Sequence, residues 1–124
     1  MSVIYTTAVK TDRMTASKDY FINGTLELLS AGDVVLAIFT LTATAGSVAT
    51  DTWTLAFTSS TVTGEAGAGA GTDSTKAQIK NSGGTASITG LTVGTGGTDI
   101  VLDNANIASG QNVTLSSATI QHAA

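Results

Sequence analysis

Residues 83–122 read GGTASITGLTVGTGGTDIVLDNANIASGQNVTLSSATIQH, and the texture of this stretch decides the fold class. Short segments of Val, Ile and Thr are divided by Gly, Asn, Asp and Ser. β-Branched side chains crowd their own β-carbon and suit a pleated strand better than a helix. The Gly and Asn clusters supply the positive φ angles of tight turns. Strands are expected at residues 85–89, 91–93, 99–102 and 111–121. In the last of these Val113, Leu115, Ser117, Thr119 and Gln121 share one face, and Thr114, Ser116, Ala118 and Ile120 the other. The alternation is imperfect, which predicts a bulge near Ser116 and Ser117. Nothing here has the look of a reaction centre; the stretch reads as a built surface.

Moving outward, residues 75–80 (TKAQIK) read as an edge strand whose two lysines discourage foreign pairing, followed by a turn at 81–84. Residues 64–71 (GEAGAGAG) are low-complexity and read as a long, flexible, exposed loop. Residues 52–58 (TWTLAFT) alternate cleanly, with Trp53, Leu55 and Phe57 on the core face, and residues 61–63 extend that strand or begin another. Residues 44–51 form a small-residue loop. Residues 34–43 (VVLAIFTLTA) are the most apolar segment and read as a central strand. Before it come a strand at 25–30, with Glu27 turned outward, and a turn at 31–33. A helix is expected at 11–22, with Thr11 as N-cap, Asp12 in the first turn, and an apolar stripe of Ala16, Tyr20, Phe21 and Met14. Asn23 and Gly24 then close it in a left-handed cap. Residues 1–10 read as a β-prone N-terminal arm or a first strand.

The chain of 124 residues is expected to form one mainly all-β domain: an antiparallel β-sandwich or jelly-roll-like body over 25–122 with one short N-terminal helix. The hydrophobic fraction is 42% but the aromatic fraction 5%, so Val, Ile, Leu and Ala must make most of the core. Charged residues make up 11%, against roughly 25% in an ordinary domain. A surface this thinly charged suits coverage by copies of itself or by a larger assembly. The net charge of −4 and the scattered basic residues argue against nucleic acid as a partner. The longest apolar run is too short to span a bilayer, and no secretory leader is read at the N-terminus.

Candidate chemistry is sparse. His122 stands alone, and with no cysteine or second histidine it completes neither a transition-metal site nor a catalytic triad. Asp99, Asp103, Asn104 and Asn106 carry oxygen ligands, but their spacing is not that of a calcium loop and local turn bonds explain them better. Residues 94–97 (GTGG) lack the lysine and following helix of a phosphate loop and read as a hairpin turn. Asn23-Gly24-Thr25 and Asn112-Val113-Thr114 match the glycosylation tripeptide, which has no consequence without secretion. No catalytic, cofactor-binding or metal-binding residue is assigned, and the chain is read as non-enzymatic.

The opening MSVIYTTAVKTDRMTASKDYF and the closing GLTVGTGGTDIVLDNANIASGQNVTLSSATIQHA resemble a group of small structural proteins encoded in tailed bacteriophages and prophages. The resemblance covers both ends and leaves residues 44–75 as a variable middle. It carries no catalytic motif, so it implies a context, the virion, and no active-site residue. An acidic, cysteine-free β protein of this size is similar there to capsid decoration, or cement, proteins. The implied partner is the major capsid protein, the implied assembly a trimer, and the implied location the outer surface of the head after synthesis in the bacterial cytoplasm. Within this reading the contact residues are Ile4, Tyr5, Arg13, Gly67 and Gly69. A tail, neck or fibre component, or a small glycan-binding module, is the alternative.

Overall fold

In the computed structural model the described residues are 6–121. One helix, α1 (Thr7–Tyr20), precedes ten strands: β1 (Thr25–Leu29), β2 (Val35–Ala49), β3 (Thr52–Phe57), β4 (Thr61–Thr63), β5 (Thr72–Asp73), β6 (Lys76–Lys80), β7 (Ala86–Gly94), β8 (Ile100–Leu102), β9 (Asn106–Ile107) and β10 (Asn112–Gln121). A single 3-10 turn, Ala66–Ala68, lies between β4 and β5. The mainly-β class with one N-terminal helix is as expected.

The sheet closes on itself. Its order is β3-β2-β1-β6-β7-β8-β10, and β10 returns to pair with β3. A closed barrel therefore stands where two packed sheets were expected. β10 makes closure possible, because its ten residues serve three neighbours in turn. Asn112 to Thr114 pair with β4, Leu115 to Ala118 with β8, and Thr119 to Gln121 with β3. The expected bulge is present: the register with β8 shifts between Leu115 and Ser117. It also moves the inward face from odd to even positions, so Val113 and Ala118 are both buried.

Apart from the β7–β8 pair the strands run antiparallel, and alternation places Leu26, Leu28, Ala37, Phe39, Leu41, Trp53, Leu55, Ala77 and Ile79 inside. Leu26 lies between Phe39 and Ile79 across the sheet, and Leu28 between two alanines, Ala37 and Ala77. Large residues facing small ones fill the narrow interior; each fully buried leucine contributes about 1.5–3 kcal/mol.

Several expectations are corrected. The helix begins a turn earlier, at Thr7, because Thr6 is extended and its hydroxyl accepts a hydrogen bond from the Val9 amide at 3.4 Å. Residues 7–10 are thus helical, and residues 1–5 lie outside the described residues. Asp12 falls mid-helix, and the buried side is Met14 together with Phe21, while Ala16 and Tyr20 are exposed. Asn23 does take the left-handed conformation, with φ 60°.

β2 runs on to Ala49 through residues expected to be loop. Between Leu41–Phe57 and Gly46–Leu55 its register with β3 slips, leaving a bulge that turns Ala45 inward. β6 is no edge: it pairs with both β1 and β7. Its lysines are used locally, Lys76 toward Asp33 and Lys80 toward Glu27 at 3.1 Å. Glu27 is buried, not turned to solvent, and also accepts a hydrogen bond from Gln78 Nε2 at 2.6 Å.

Residues 94–97 do not make a hairpin turn, since β7 and β8 run parallel, Val93 beside Ile100. The chain loops once and resumes its direction. Asp99 clamps that loop: its carboxylate accepts from both the amide and the hydroxyl of Thr92, each at 3.1 Å.

Candidate functional site

Among the described residues no enclosed pocket opens, and no group of three or more His, Asp or Glu side chains converges. The carboxylates and amides of the 99–106 region are engaged in local bonds. Asp103 Oδ1 accepts from the Thr114 amide at 3.3 Å, and Asn104 Oδ1 from the Asn106 amide at 3.0 Å. Asn106 Nδ2 donates to Asp73 Oδ1 at 2.9 Å, tying β9 to β5. What the fold offers is its outer surface.

Of the expected contact residues, Ile4 and Tyr5 lie outside the described residues, as does His122. Arg13 is exposed on α1. The helix runs back along the distal half of β2: Thr11 donates to Thr50 O, and Lys18 Nζ donates to Thr44 O at 3.0 Å. Near the helix end, Asn81 Nδ2 donates to the Tyr20 hydroxyl at 3.2 Å, linking α1 to the β6–β7 turn. Residues 6–9, the first turn of this helix, are all exposed.

Gly67 and Gly69 are exposed too, but at the other end of β2, where a Cβ on Gly67 would lie 3.0 Å from Val34 Cγ1. The regular part of β2 from Val35 to Leu41 alone covers about 20 Å, six steps at 3.3 Å per residue, and Thr44 follows it in the bulge. The helix and the Gly-rich segment therefore do not form one patch.

The Gly-rich segment is also more ordered than its composition suggests. The Gly64 amide donates to Gln111 O at 2.7 Å, Glu65 to Leu36 O at 2.7 Å, and Ser109 to Gly69 O at 2.9 Å. A side chain at Gly64 would collide with Ala108 O, 2.1 Å from the ideal Cβ position. The glycines serve close backbone packing here as much as chain freedom.

The feature that sequence reasoning missed is a hydroxyl wall across β2, β3 and β10. Ser47, Thr54 and Thr119 are direct neighbours on adjacent strands, and Ala49, Thr52 and Gln121 form the next row. Further along β10, the hydroxyls of Thr61 and Thr114 meet at 3.1 Å. The signal was present in the outward positions of TWTLAFT, but only the closure of β3 against β10 makes it one surface. The wall carries no charge within those two rows. Its rim does, at Asp51, which accepts from Gln121 Nε2 at 3.3 Å. That amide is the largest of the causes that hold the Asp51 carboxyl below its ordinary value; desolvation, next in size, opposes it, and the Thr52 hydroxyl, the Asp51 amide and Lys10 add to the lowering. Compared with models of known protein families, with curated proteins and with solved structures, the chain matches none.

Proposed function

We propose that this protein is a non-enzymatic structural component of a bacteriophage virion, most specifically a decoration protein that binds the assembled head and reinforces it. The virion context comes from the resemblance of both chain ends to small phage structural proteins. The observation that carries the structural part of the reading is the uncharged hydroxyl wall of Ser47, Thr52, Thr54 and Thr119. A face of short hydroxyl side chains loses little side-chain entropy when covered and presents no charge to desolvate. Such a face suits modest contacts repeated by symmetry, in which avidity replaces strong single-site affinity. In this role the major capsid protein is the partner, the outer shell is the location, and α1 with Arg13 offers a second, separate contact.

The test is direct. Purified protein mixed with expanded, undecorated capsids is expected to co-sediment with them and to raise their melting temperature. Recovery in isolated tails and absence from heads would move the protein to the tail or neck. Saturable binding in a glycan screen, without capsid binding, would replace the reading with a glycan-binding one.

A further inference from the structure

The barrel has one place where its wall is thin. β8 spans Ile100–Leu102 and meets β7 only through Val93 and Gly94. β7 itself is nine residues long and begins at Ala86. On its other side β6 pairs with it from Ala86 to Thr92. On the β8 side the Thr92 amide is taken by Asp99, and from Ala86 to Leu91 that edge has no strand partner among the described residues. Ala86, Ser87, Thr89 and Gly90 are exposed, and Ile88 is half-buried.

Open edges are ordinarily guarded by lysine, by proline or by an inward-pointing charge. This one has none of these: no charged residue and no proline occurs between Asn81 and Thr98. The guard it does have is a weaker one: two register irregularities against β6, near Ser87 and Gly90, twist the strand without giving its free side a partner.

We infer that the Ala86-to-Leu91 edge is a self-association surface, and that its occupant is the same edge of a second copy, paired antiparallel about a two-fold axis at Ile88. The sequence ASITGL is self-complementary in that register. Ile88 faces Ile88 of the second copy, Ser87 faces Thr89, and Ala86 faces Gly90. Ser–Thr neighbours across a ladder form the kind of hydroxyl pair already made by Thr61 and Thr114. Nothing lies within 4 Å of where a Gly90 side chain would be, so the backbone there is open to approach. No like charges meet. An isologous contact of this kind closes at two copies, unlike the threefold grouping implied by the phage resemblance. The area is small, so the pair is expected to be of micromolar strength.

The inference does not rest on the virion reading, and its test uses the full-length protein without capsids. Sedimentation equilibrium from about 5 μM to 1 mM should show a monomer–dimer equilibrium. Thr89→Lys faces Ser87 of the second copy and sets the two lysines diagonally across the ladder on one face, about 7–8 Å apart, so like-charge repulsion should weaken the dimer at least tenfold and leave the circular-dichroism spectrum unchanged. Because the chain has no cysteine, Ile88→Cys reports the register: directly opposed residues have Cα atoms about 4.5–5.5 Å apart, within disulfide reach. Mild oxidation should convert that variant to a covalent dimer. A monomer throughout the range, or a trimer, overturns the inference. So does a dimer that Thr89→Lys leaves intact, or one that Ile88→Cys does not cross-link.

Discussion

Trp53 shows how much one residue of this chain decides. It is fully buried, its ring stacks on Phe21 with centroids 5.8 Å apart, and its Nε1 donates to Ala45 O at 2.8 Å. That carbonyl is available because the β2 bulge turns Ala45 inward, with φ 58°. Trp53→Phe keeps an aromatic ring but leaves the Ala45 carbonyl without its donor and a space beside it. We expect a loss of about 2–4 kcal/mol, read as a lower urea midpoint by circular dichroism. A loss below about 0.5 kcal/mol would mean the bulge relaxes without the bond. At the surface, Asp51 has a folded pKa below its ordinary 3.8. Its contribution to stability is therefore present above 3.8 and is lost as pH falls through the lower, folded value. Carboxyl NMR should place its midpoint below 3.8, and Gln121→Leu, removing the largest cause, should move it upward. A midpoint unchanged by Gln121→Leu would assign the shift to Thr52 and Lys10 instead.

At the scale of elements, what the sequence made legible was whatever depends on neighbouring residues. TWTLAFT is a strand with Trp53 inside, the 81–84 turn forms with Asn81 Oδ1 accepting from Gly83 and Thr85, and the Ser116–Ser117 bulge is where broken alternation put it. The misreadings share one cause, which is dependence on distant partners. Glu27 alternates as an outward residue, yet the side chains of Gln78 and Lys80, some fifty residues away in the chain, cover and pair it. The two lysines of TKAQIK mark an edge by composition, but β1 and β7 claim both sides of that strand. Residues 44–49 carry small side chains typical of loops, and become strand because β3 supplies a ladder for them. α1 was misread at its start because Thr6 and Thr11 are equally good caps by type. The competition is settled by tertiary contact: inside the helix the single Thr11 hydroxyl proton has Thr7 O and, just past β2's far end, Thr50 O as alternative acceptors. Of the candidate contact residues, Arg13, Gly67 and Gly69 are exposed. Their separation along β2 was not readable, because a fifteen-residue strand was not.

At the scale of the whole molecule, the barrel is held shut by pairings that are distant in sequence. Thr54 meets Thr119 and Trp53 meets Ile120, so closure must bring the two halves of the chain together before β10 gains its ladder. Loop-closure entropy is lost early and recovered late, which predicts refolding in the millisecond-to-second range, not microseconds. The same connectivity makes the molecule cooperative. Trp53 touches α1 through Phe21, β2 through Val48 and the closing strand through Ile120. Releasing any one of these exposes the indole and removes support from the other two. As the one tryptophan in the chain, it reports on all three at once. Urea unfolding followed by Trp53 fluorescence and by far-ultraviolet circular dichroism should therefore give superimposable transitions, within about 0.2 M in midpoint, as two-state unfolding requires. A fluorescence transition that precedes the loss of β signal would show that α1 or β10 detaches while the other strands remain paired, and that closure is not part of the cooperative unit.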